Sequence, residues 1–347
     1  MNEKDRFLRA VSGGGCDRPP VIVPGSFVSM ASREVMEKGG FLTPSLHSSG
    51  RMLSELSVFL HDEAGIENLG VPFTLRVESE AYGGETDQRP AGMAGRRAAG
   101  PSTPSYPLKE AAEYKKLKKL NPHKDGRLPV VLECIAELSN RRPYVPVVAD
   151  VVGPLSLSSA LIDAGVLLRA LVNEPDDVRG LLSFLSGNTI AYCRALVDNG
   201  ATAICIVDPF STASTLGAKF MSEFSLPYIE RITEAAHNMG CPVIAHLCGG
   251  LNGTRGMGAS IARLSADCLS VDADMTVGDA RALFNGRPVM AGLSSMLLSS
   301  GSPVEVRRAA ERAVAQGVDV LSPSCGLDEF VTLANLRAQN LWWRRAM

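Results

Sequence analysis

Two stretches of this 347-residue chain end an apolar run in side chains that bind metals. In Pro242-Val-Ile-Ala-His246-Leu247-Cys248-Gly249-Gly250 the run reads as a buried strand closing on an imidazole and a thiol two positions apart. Side chains i and i+2 of a strand point to the same side. His246 and Cys248 therefore face one point, and the glycines after them let the backbone turn away. A second run of the same design, Val318-Asp-Val-Leu-Ser-Pro-Ser-Cys325-Gly326, ends in another thiol. One imidazole and two thiolates suit zinc, and three protein ligands leave the fourth position open for substrate, as catalytic zinc sites do. Taken singly, a strand histidine or a cysteine is more often a core residue. It is the repeated design that points to a metal.

Carboxylates supply the other candidate chemistry. Asp208 follows an apolar run in Val207-Asp-Pro-Phe-Ser211, and two glutamates alternate in Thr74-Leu-Arg-Val-Glu78-Ser-Glu80-Ala81. That alternation predicts an extended segment with one carboxylate-bearing face. Asp208, Glu78 and Glu80 are the candidate catalytic acids, and with Asp272 they are also candidates for a fourth metal ligand. The plainer readings are a turn aspartate for Asp208, a solvated hairpin for the glutamates, and ordinary loop carboxylates for Asp272 and Asp274. The glycines from Gly249 to Gly258 lack the lysine and spacing of a phosphate loop, and read as a flexible site loop.

These residues need a frame that brings strand ends together. Short apolar runs at Pro19–Pro24, Gly65–Pro72, Tyr144–Ala149, Ala203–Val207, Pro242–Leu247, Cys268–Val271, Pro288–Ala291 and Val318–Ser322 predict eight strands. Helices are predicted at 3–12, 27–38, 47–60, 108–120, 126–140, 155–171, 175–199, 218–239, 255–265, 276–284, 303–316 and 327–345. Alternating β and α with near-continuous apolar strands predicts a parallel sheet covered by helices. The count favours an α/β fold of the closed (β/α)8 TIM-barrel type, a single domain over 1–347. The Gly/Pro-rich stretch near 83–107 reads as an excursion over the site. No GxGxxG or P-loop follows the first run, which argues against a dinucleotide-binding sheet. In a TIM barrel the site lies at the C-terminal ends of the strands, where Glu78, Glu80, Asp150, Asp208, His246, Cys248, Asp272, Asp274, Ser294 and Cys325 all fall.

Composition narrows the function classes. A net charge of −2 gives no electrostatic footprint for nucleic acid or a membrane surface. Eight cysteines without short paired spacings do not form a disulfide framework and fit a reducing compartment. The charged start Met1-Asn-Glu-Lys-Asp-Arg lacks a signal-peptide core, and no apolar run is long enough to span a bilayer. The expectation is a cytoplasmic protein. Trp342-Trp343-Arg344-Arg345 reads as a packed helix end available to a subunit contact, so an oligomer stays open.

Along its whole length the chain resembles the uroporphyrinogen decarboxylase superfamily, and within it the cobalamin-dependent methyltransferase branch that includes methylcobalamin:coenzyme M methyltransferases. The resemblance rests on Asn68-Leu-Gly-Val-Pro-Phe73, Val77-Glu-Ser-Glu80-Ala81, Val151-Val-Gly-Pro-Leu155-Ser156, Val207-Asp-Pro-Phe-Ser211, His246-Leu-Cys248-Gly249 and Ser324-Cys325-Gly326. It implies zinc held by His246, Cys248 and Cys325, and a corrinoid, cobalamin itself or a corrinoid protein, as co-substrate. It further implies methyl transfer between methylcobalamin or a methylated corrinoid protein and a small thiol, or from another methylated small molecule. The decarboxylases carry an arginine-rich loop after the first strand. Here Val23-Pro-Gly-Ser-Phe-Val-Ser-Met30 has no arginine, and the next is Arg33. A decarboxylase-like lyase and a non-catalytic corrinoid- or metal-binding protein are the alternatives. The branch also tends to show Gly-Asn where this chain has Gly292-Leu293-Ser294. Asn121-Pro-His123-Lys-Asp-Gly126 only partly echoes the D-x-H-x-x-G motif of corrinoid carriers and reads as a loop, which leaves the corrinoid to a separate molecule.

Overall fold

The computed structural model of the chain describes residues 1–23, 31–72, 76–84, 106–247 and 258–340. Six parallel strands run in sequence order: β1 Val148–Val152, β2 Ala203–Val207, β3 Val243–Leu247, β4 Cys268–Val271, β5 Val289–Leu293 and β6 Val320–Pro323. All six are buried nearly throughout, as strands covered on both faces must be. Two further segments close the ring. Val21 bridges Leu321 of β6, with Ile22 N donating to the Leu321 carbonyl at 2.9 Å. Leu69 bridges Val147 beside β1, and Glu67 N donates to the Val21 carbonyl at 2.8 Å. Six strands and two bridging segments make the eight positions of a closed barrel, so the predicted α/β barrel is what the chain forms.

The closing segments are held by side chains where the ladder is too short to hold them. Glu67 is buried and accepts from Arg6 Nη1 at 2.7 Å, from both terminal nitrogens of Arg18 at 2.6 and 2.7 Å, and from Val21 N at 3.0 Å. Asn68 ties the same pair of segments through Val23 N and the Val23 carbonyl, each at 2.9 Å. The N-terminal helix Glu3–Val11, capped by Asn2, plugs the lower end of the barrel. Its Phe7, Ala10 and Val11 pack with the inward-facing Ile22, Val148, Ile244, Met290 and Val320.

Several boundaries differ from those read off the sequence. Strand β1 starts four residues later than expected, and Tyr144 is 71% exposed. Pro143 and Pro146 have no N–H to give a ladder, so pairing begins only after them. The helix expected over 155–171 is two helices, Pro154–Leu161 and Ala164–Asn173, bent by 119°. Asp163 caps the second by accepting from Gly165 N and Val166 N. The helix expected over 218–239 likewise breaks at Ser225, just before Pro227, into Ala213–Phe224 and Leu226–His237. The helix expected over 108–120 is only the 3-10 segment Ala111–Lys116. A short helix, Ser295–Ser300, was not anticipated; Ser294 caps it, which gives that residue a structural role. No single described helix is long and apolar enough to cross a membrane. The greater part of the Gly/Pro-rich excursion (85–105), the glycines from Gly249 to Gly256, and Trp342 to Arg345 lie outside the described residues.

Candidate active site at the strand ends

His246 is the fourth residue of β3 and shares the inward parity of Ile244, which lies in the barrel interior. It is fully buried. Its Nδ1 lies 2.8 Å from the Ser270 hydroxyl, and its Nε2 has no hydrogen-bond partner among the described residues. A buried imidazole with one nitrogen engaged and the other bare is the arrangement of a metal ligand held by an outer partner. Cys325, two residues past β6, is partly buried. Cys248 lies outside the described residues. Among the described residues no three His, Cys, Asp or Glu side chains gather as a metal group; the candidate set is thus seen in two of its members, and His246 fits the role.

Asp208 is the first residue after β2 and is fully buried. Its Oδ1 accepts from Ser156 N at 2.9 Å and from the Ser156 hydroxyl, whose oxygen in turn accepts from Phe210 N at 2.8 Å. Those bonds stitch the Val-Gly-Pro-Leu-Ser turn after β1 to the Val-Asp-Pro-Phe-Ser turn after β2. Gly153 makes the approach possible, because a Cβ there would overlap the Asp208 side chain. Oδ2 lies near the Ser225 hydroxyl without a well-formed hydrogen bond. Burial is the largest influence on this acid and, against the Ser156 bonds, lifts its pKa from 3.8 to about 6.

The two glutamates do not share a face. Val77–Ala81 is a helical turn rather than the extended segment expected. At about 100° per residue, positions two apart in a helix diverge. Glu78 turns inward, where Oε1 accepts from Val152 N at 2.7 Å and Oε2 from Thr189 Oγ1 at 3.4 Å. Burial pushes its pKa from 4.5 to about 7. Glu80 instead takes a two-pronged pair from Arg127, Nε and Nη2 both at 2.6 Å, while Arg127 Nη1 donates to the His47 carbonyl. Glu80 is thus held as a paired carboxylate, whereas Glu78 is a lone acid.

Asp150 appeared only as one acid among the strand ends. It sits inside β1 opposite Cys205, 4% exposed, with neither carboxylate oxygen well hydrogen-bonded. Burial raises its pKa well above the usual range. Asp272 accepts from Ala273 N next to it, and Asp274 is exposed, as loop carboxylates are. His123 lies exposed in a turn where Asn121 accepts from its backbone. Ser270, Thr189 and Arg127 were not singled out in the sequence, and Ser156 entered only as the end of the Val151–Ser156 motif with no role given; residue type and spacing do not mark a side chain whose role is to hold another.

A closed parallel barrel with buried titratable groups at the C-terminal ends of its strands defines the class of TIM-barrel enzymes. A family model described as Uroporphyrinogen decarboxylase (URO-D) matches residues 2–340, and the chain belongs to that family. It is 29% identical over 337 residues to a "Methylcobamide:CoM methyltransferase MtbA" of Methanosarcina acetivorans, covering 96% of this chain and 95% of that protein. It is 28% identical over 320 residues to a uroporphyrinogen decarboxylase of Anaeromyxobacter dehalogenans, covering 90% and 89%. The solved structure of a methyltransferase from Methanosarcina mazei superposes with a TM-score of 0.88 at 23% identity, over 100% of this chain and 99% of that one. That likeness shows the shared fold.

Proposed function

We propose that this protein is a corrinoid-dependent methyltransferase, moving a methyl group between a methylated corrinoid and a small thiol, with zinc held by His246, Cys248 and Cys325. The observation that carries the reading is the buried His246 with its bare Nε2 at the end of β3, in a chain similar over nearly its whole length to a methylcobamide:CoM methyltransferase. Zinc in that set supplies the charge that keeps a bound thiol deprotonated. The chain's own acids serve the proton. Asp208, with a pKa of about 6, and Glu78, with a pKa of about 7, are poised to accept one near neutrality. Ser156 fixes the orientation of Asp208, so its Oδ2 is the oxygen left for that task. The Ser270 contact fixes the plane of the His246 ring. Free methylcobalamin or a corrinoid protein would deliver the methyl group at the barrel mouth, within a single-domain cytoplasmic protein.

A decarboxylase-like lyase has the Anaeromyxobacter relative in its favour. The stretch from Val23 to Met30, however, offers no arginine for a polyanionic porphyrinogen. The test is elemental analysis of wild type beside Cys325→Ala, followed by turnover of methylcobalamin with 2-mercaptoethanesulfonate and other thiols. Near-stoichiometric zinc, lost in the variant together with turnover, is expected. A chelator-free preparation with no zinc overturns the metal site, and zinc without turnover on any thiol favours a non-catalytic binder.

A further inference from the structure

We propose that Ser270 is a positioning residue that selects the tautomer of His246: its hydroxyl oxygen accepts the Nδ1 proton and so leaves the Nε2 lone pair bare. The register of β3 and β4 places His246 and Ser270 side by side, both fully buried, with Nδ1 and Oγ 2.8 Å apart. On the other flank the register partner of His246 is Val207, which has no polar side-chain atom. Ser270 is therefore the one cross-strand neighbour able to fix the ring. A serine–histidine contact runs in either direction. Were the hydroxyl to donate, Nε2 would carry a proton fixed in the ring plane with no acceptor in a fully buried place, whereas a hydroxyl that accepts from Nδ1–H keeps its own hydrogen free to rotate. With Nδ1–H donating, the unpartnered site of the ring is the Nε2 lone pair, which a metal can use. The consequence for zinc rests on the proposed function, but the tautomer is a property of the metal-free chain.

Nitrogen-15 NMR of the ring nitrogens in metal-free, histidine-labelled protein reads it directly, with His246→Gln identifying the His246 signal among the five histidines. Wild type is expected to show the proton on Nδ1. Ser270→Ala should move it to Nε2 and weaken zinc binding, measured by chelator competition, about ten- to a hundredfold. Ser270→Thr, which keeps the hydroxyl, should restore both. A wild-type proton on Nε2 overturns the inference, as does a Ser270→Ala protein with unchanged tautomer and zinc affinity. A loss of metal-free stability with both readouts unchanged would mark Ser270 as merely structural and also overturn it. Should Ser270→Ala not fold, the wild-type spectrum still decides. Wild type that binds no zinc yet shows the Nδ1 proton would refute the proposed metal site and leave the tautomer assignment standing.

Discussion

Glu78→Gln should make the protein more stable by about 3 kcal/mol at pH 8 and by less than about 1 kcal/mol at pH 5. The folded protein holds the Glu78 pKa at about 7 against an ordinary 4.5, chiefly through burial. That gap, 7 − 4.5, is about 2.5 decades, and at about 1.36 kcal/mol per decade it is worth about 3 kcal/mol. The sign follows from the raised value. Below pH 4.5 both folded and unfolded chains carry the proton, and Glu78 costs nothing. Between 4.5 and 7 the folded chain keeps a proton the unfolded chain has released, so stability falls as pH rises. Above pH 7 the full penalty is present. Glutamine keeps an oxygen for Val152 N, which now donates to Oε1 at 2.7 Å, and cannot ionise. Asp208 and Asp150, also raised by burial, add the same trend to both proteins and cancel in the comparison. The assay is guanidinium unfolding of metal-free wild type and variant at pH 5 and pH 8. A variant that is less stable than wild type at pH 8, or whose advantage is the same at both pH values, would refute the burial account of Glu78.

Three other substitutions probe the frame around the site. Gly153→Ala puts a Cβ into the Asp208 side chain. It should cost about 1–3 kcal/mol by overpacking and lower methyl-transfer turnover at least tenfold; turnover equal to wild type would separate Asp208 from the chemistry. Glu67→Gln removes the charge shared by Arg6 and Arg18 at the closure of the barrel. A loss of about 3 kcal/mol in denaturant unfolding is expected, the scale for breaking a buried pair. Arg127→Met leaves the Glu80 carboxylate, only 2% exposed, without its cation. It should cost a similar about 3 kcal/mol at pH 7, most of it recovered in the Arg127→Met/Glu80→Gln double variant; no recovery would mean that Arg127 acts through the His47 carbonyl instead.

The sequence by itself determined what depends on local period and residue type. Runs such as Ala203–Val207 and Val243–Leu247 are strands because their apolar residues are continuous, and the two-residue period sets the inward parity of His246. The alternation of strands and helices carried the barrel, and the placement of His246, Asp208 and Cys325 at strand ends followed from it. Only the tertiary structure decided what depends on neighbours far along the chain. The apolar runs at Pro19–Pro24 and Gly65–Pro72 were legible as strands, but that they shrink to single bridges at Val21 and Leu69 and are tied together by Glu67 and Asn68 was not. Glu78 and Glu80, alternating in sequence, part company once Val77–Ala81 coils into a helix. Glu78 meets Val152 across 74 positions, Asp208 meets Ser156 across 52, and His246 meets Ser270 across 24. Desolvation, hydrogen bonding and nearby charge set the pKa of an acid and the tautomer of a histidine. Those surroundings exist only once the barrel has closed and brought remote residues together.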